Sequence, residues 1–132
     1  MQLTAFLSYL ILAPTVSFLL DVNALGSVVI FLIIPSLHLS LLLKGNVKKA
    51  AMFSLFTAVP FIIFSDYIAH LTKQWLVPDT VFPVRILDLV PVEDILWAFF
   101  LTYFIIMFYE YFLDNREDDK EVISRKTMYL GV

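Results

Sequence analysis

Acidic side chains beside long apolar runs are the residues of this chain that could do chemistry. Pro91-Val92-Glu93-Asp94 opens the segment from Leu87 to Phe112, which is apolar and rich in aromatics. Two adjacent carboxylates at a helix start are favoured by the helix dipole and by unpaired N–H groups, so a capping pair is one reading. The other is a proton donor. Low dielectric and a neighbouring like charge both favour the neutral acid, which can then hold a proton for transfer. Asp66 and His70 are four residues apart and share one helical face, where they could relay a proton or stand as unrelated interfacial groups. His38, near Pro35, reads as a core histidine bonded to the carbonyl that the proline frees. Glu110, between Tyr109 and Tyr111, either reaches the interface or bonds a tyrosine.

These residues must be carried by membrane-length elements. Of the 132 residues, 61% are apolar and 16% charged, with a mean hydropathy of +0.88. A soluble domain is roughly 45–50% apolar, and a chain this small has too much surface to hide such runs. The bilayer is the natural solvent. Four spans are expected: Gln2 to Leu20, Ala24 to Leu43, Ala50 to Leu71 and Val92 to Leu113. The fold class is therefore an all-α membrane protein, a bundle of four transmembrane helices with a polar C-terminal tail. Residues 1–113 form the membrane domain and residues 114–132 the charged tail.

Details of the segments agree with that division. Pro14, Pro35 and Pro60 are tolerable inside membrane helices, with Pro60 interrupting the third. Asn23 suits an N-cap. The first segment lacks the positive start and the cleavage site of a signal peptide, and is read as a span. Residues 72–90 form the longest connection, and Trp75 and Phe82 suggest that it lies at the interface.

Four spans put both termini on one side. Lys44, Lys48, Lys49, Arg116, Lys120, Arg125 and Lys126 lie on that side, against Lys73 and Arg85 on the other. This bias places the termini in the cytoplasm. Asp21, Asp66, Glu93 and Asp94 then converge on the opposite rim. Glu110 is left about 25 Å away, at ~1.5 Å per residue.

Glu93, Trp97, Phe100, Phe104, Phe108 and Tyr111 recur at helical spacing. They are either packing aromatics or a trough for a long apolar polyene, with ring faces able to stabilise a carbocation. There is no cysteine, and the formal charge of −3 with no basic stripe argues against nucleic acid. No dinucleotide, Walker or aspartate-rich diphosphate motif is present, and two scattered histidines do not make a metal site, so no cofactor is expected.

Leu89-Val90-Pro91-Val92-Glu93-Asp94-Ile95-Leu96-Trp97, followed by an aromatic helix closing in Phe108-Tyr109-Glu110, resembles the small membrane lycopene cyclase domain. So does the upstream run Val59-Pro60-Phe61-Ile62-Ile63-Phe64-Ser65-Asp66. The similarity spans roughly residues 50–112. Asp94 stands where the family often has a second glutamate. The resemblance implies cyclisation of a carotenoid end group by protonation of a terminal alkene, without net redox change. Glu93 would be the acid, with Asp94 or Asp66 as its tuner or base. Trp97, Phe100 and Phe104 would line the cation's path, and Glu110 is counted with them as a substrate contact. A second copy or a partner subunit is implied, because the polyene is longer than one bundle is wide. The competing readings are a non-catalytic membrane subunit or carotenoid-binding scaffold, and a small ion or proton conductor.

Overall fold

The computed structural model describes residues 3–43, 45–75 and 80–114. The charged tail lies outside them from Asn115 on. The chain is mainly helical. Its elements are α1 (Leu3–Leu19), α2 (Ala24–Val28), a π-helical turn (Val29–Ile33), α3 (Ile34–Leu42), α4 (Val47–Leu71) and α5 (Val92–Phe112). Before α5 comes a short antiparallel pair, β1 (Arg85–Ile86) with β2 (Val90–Pro91). Among the described residues, three helices are long and apolar enough to cross a membrane: Ala24–Leu42, Val47–Leu71 and Val92–Phe112. The α1 helix is apolar but only 17 residues long.

α2, the π turn and α3 run as one rod, and Pro35 explains the turn. Proline has no N–H to give. The Ile34 N–H bonds back to Val29 O, one residue further than in an α-helix. The Ile30 carbonyl is thereby left without a backbone donor, since in that register its donor would be Pro35. The Tyr9 hydroxyl of α1 donates to Ile30 O. An unpaired buried carbonyl costs about 1–3 kcal/mol, so this bond ties α1 to the rod where the rod is weakest. Here the sequence reading is corrected: His38 is exposed on α3 rather than a core residue, and Tyr9 serves the freed carbonyl. Asn23 does cap α2, with Oδ1 accepting from the Gly26 N–H at 2.8 Å.

α4 is continuous through Pro60 rather than interrupted there. Its buried positions are Ala50, Ser54, Ala58, Asp66 and Ala69, all on one side of the helix. α5 packs against that side, and also against α3 and the π turn. Small side chains let two helix backbones approach closely, and Ser54 returns its hydroxyl to Ala50 O at 2.9 Å. The same face that brings α4 against α5 carries Asp66 toward the first turn of α5.

Packing is uneven along the bundle. Phe6, Leu39, Ala50, Tyr103 and Met107 form the core, away from the acidic end. Ser40 and Tyr103 hydrogen-bond within it at 2.6 Å. Toward the acidic end α1 and α2 are joined by Ser17 and Ser27, 3.3 Å apart, and the helices separate around a cavity.

Candidate acid site at the first turn of α5

Pro91 is the N-cap of α5, in extended backbone, and Glu93 and Asp94 fall in the first helical turn. The preceding segment reverses at Leu87 and Asp88, both left-handed, with φ of 54° and 58°. The Leu89 N–H bonds to Ile86 O at 3.2 Å, and the Arg85 guanidinium donates to Leu89 O at 3.1 Å. This hairpin lays the connecting segment over the acids. Trp75 and Phe82 are both exposed on it, as an interfacial segment requires.

Glu93 is only 5% exposed. Its Oε1 accepts the backbone N–H of Phe82 at 2.7 Å, whereas its buried Oε2 has no hydrogen-bond partner among the described residues. The Asp94 carboxyl lies within hydrogen-bond reach of Asp66, and the charges of Glu93 and Arg85 also act on it. Asp94 of α5 and Asp66 of α4 thus face each other across the contact between the two helices. Asp66 is 6% exposed, and its Oδ2 is buried without a partner among the described residues. Three of the expected rim acids, Asp66, Glu93 and Asp94, are therefore brought together from two helices. Asp21 is not among them; it is exposed in the turn after α1.

Glu93, Asp94 and Trp97 form one wall of a cavity of about 370 Å³, and Ser27, Val28, Phe31 and Leu32 form the facing wall. That volume falls in the roughly 300–1,000 Å³ range of small-molecule sites. Apart from the two acids and the Ser27 hydroxyl, the side chains named are apolar or aromatic. The π turn matters here, because it sets the direction in which Phe31 and Leu32 project.

The rest of the expected aromatic ladder does other work. Phe104 and Phe108 pack on Phe6 of α1, with ring centroids 5.9 and 5.7 Å away. Phe100 stands edge-on to Phe99 at 5.0 Å. Glu110 is at the far end of α5, apart from the acid group, with its Oε2 buried and unpartnered.

His70 shares a second, small pocket with Asp66, Asp94 and Arg85. The sequence reading missed Arg85, which had counted only toward the charge bias, and missed the opposite cavity wall, whose Ser27, Val28 and Phe31 carry no recognisable pattern. Among the described residues, no group of three or more potential ligands could hold a metal ion. The chain matches no family model, no curated protein and no solved structure.

Proposed function

We propose that this protein performs acid–base chemistry on an apolar alkene inside the membrane, namely closure of a lycopene end group to a ring. The observation that supports this reading is Glu93: a buried carboxyl, one oxygen of which has no donor, in the wall of a largely apolar cavity and beside a second pair of acids. Glu93 protonates the terminal double bond, the resulting cation is attacked by an alkene of the same chain, and Asp94 removes a proton to finish the ring. Trp97 offers a ring face to the cation, and the apolar wall keeps out water that would quench it. The cavity takes an end group and leaves the rest of the polyene to a second copy or a partner subunit.

In this reading α1 is the fourth span, about 25 Å long at ~1.5 Å per residue, and both termini lie in the cytoplasm. The test is expression in lycopene-accumulating cells, alone and with a candidate partner. Ringed products with the native chain, and unchanged lycopene with Glu93→Gln at equal membrane levels, are expected. Normal ring formation by Glu93→Gln removes Glu93 from the chemistry.

One observation favours a second reading, a polyene-holding subunit without chemistry. Phe104 and Phe108 are already engaged by Phe6 and do not line the cavity. That reading predicts pigment that co-purifies with the protein but is unaltered.

A further inference from the structure

Asp94 borders two chambers. One is the apolar cavity it shares with Glu93. The other lies between the end of α4 and the hairpin, has a volume of about 10 Å³, and is walled by Asp66, His70, Trp75 and Arg85 as well as Asp94. That is room for one water molecule. Asp66 is more than nine-tenths buried in this wall, and its Oδ2 has no partner among the described residues. A buried carboxyl oxygen left in this way is destabilising, and a water donating to it removes that cost. His70 lies one turn beyond Asp66 on α4, and Trp75 on the outer side of the pocket is exposed.

We propose that this pocket is a proton port: a single water held by Asp66, His70 and Asp94 passes protons between the aqueous rim and the apolar cavity. An inbound proton moves from His70 to the water and from the water to Asp66 Oδ2. Asp66 in turn passes a proton to Asp94, which faces the cavity. The outbound path is the reverse. Each step moves a proton between oxygen or nitrogen lone pairs, and no electrons are exchanged. The charged and titratable groups facing the pair are His70 from α4, Arg85 from β1 and Glu93 from α5. The π turn and α2 present only Ala24, Ser27, Val28, Phe31 and Leu32 to the cavity.

The proposal deepens the acid–base reading above and rests on it for what the proton does in the cavity. The port itself is tested without activity. The protein in lipid nanodiscs is transferred to D2O, and the carbonyl stretch of protonated carboxyl groups is followed by infrared spectroscopy. The expected result is a carboxylic band that Asp66→Asn and Asp94→Asn each remove. It shifts rapidly in the native protein, and at least an order of magnitude more slowly both in His70→Gln, which cannot take up and release a proton, and in His70→Phe, which fills the pocket. Absence of a band sensitive to both aspartates overturns the proposal, as does exchange in His70→Phe as fast as native. If the spectra behave as expected while lycopene is never cyclised, the port stands and the cyclase reading falls.

Discussion

The backbone N–H of Phe82 donates to Glu93 Oε1 at 2.7 Å, so the connecting segment holds the buried carboxyl at the start of α5. A buried acceptor left without its donor costs about 1–3 kcal/mol, so this bond anchors the segment to the acid. It also fixes which oxygen is left for other chemistry. Replacing Phe82 by proline deletes the donor, whereas alanine deletes only the ring. Phe82→Pro should therefore lose ring formation by roughly tenfold, in line with about 1–3 kcal/mol for a buried acceptor left without its donor, and Phe82→Ala should retain most of it. Product ratios in lycopene-accumulating cells at matched membrane levels check this.

The Tyr9 bond to Ile30 O gives a second expectation. Tyr9→Phe keeps the ring and removes only the hydroxyl, stranding the carbonyl that Pro35 has already deprived of a donor. The expected loss is about 1–3 kcal/mol in reversible detergent unfolding. Pro35→Ala should reduce that loss, because an N–H at position 35 lets the helix close its own ladder.

α4 and α5 approach through Ala50, Ser54 and Ala58. Ala58→Leu forces extra methylenes into that contact and should cost about 1–3 kcal/mol. It should also move Asp66 away from Asp94 and reduce ring formation. Phe53→Leu, at an exposed position of the same helix, should be neutral within about 0.5 kcal/mol. A comparison of unfolding midpoints and product ratios separates the two.

Leu87 holds a left-handed backbone at φ 54°, which costs an ordinary L-residue about 1–2 kcal/mol. Leu87→Gly should relieve part of that strain and tighten the hairpin over Glu93. A higher melting temperature with ring formation retained is the expected outcome, read by thermal unfolding in detergent.

The chain has no cysteine, so single introduced cysteines report topology directly. With α1 as a span, Lys48→Cys should react with an impermeant maleimide only from the cytoplasmic side, and Lys73→Cys only from the opposite side. Equal labelling of both from one side removes the proposed orientation.

Membrane-length helices were legible from composition and run length alone, because a bilayer imposes one coarse requirement, about 20 apolar residues per span. Residues 24–42, 47–71 and 92–112 meet that requirement wherever their neighbours lie. The placement of Glu93 and Asp94 in a first helical turn was equally legible, since Pro91 and the two acids are local signals. The partners of those acids were not. Asp66 meets Asp94 because small residues on α4 set how closely α5 approaches, and helix spacing is a property of two surfaces together. Phe31 and Leu32 form a cavity wall because Pro35 shifts a hydrogen-bond register and Tyr9 on another helix makes the shift tolerable. Spacing alone left Phe104 and Phe108 as packing aromatics or as the wall of a trough, and Phe6, from a segment about a hundred residues earlier, covers them. Periodicity names the face of a helix, but what covers that face depends on the packing of the whole chain.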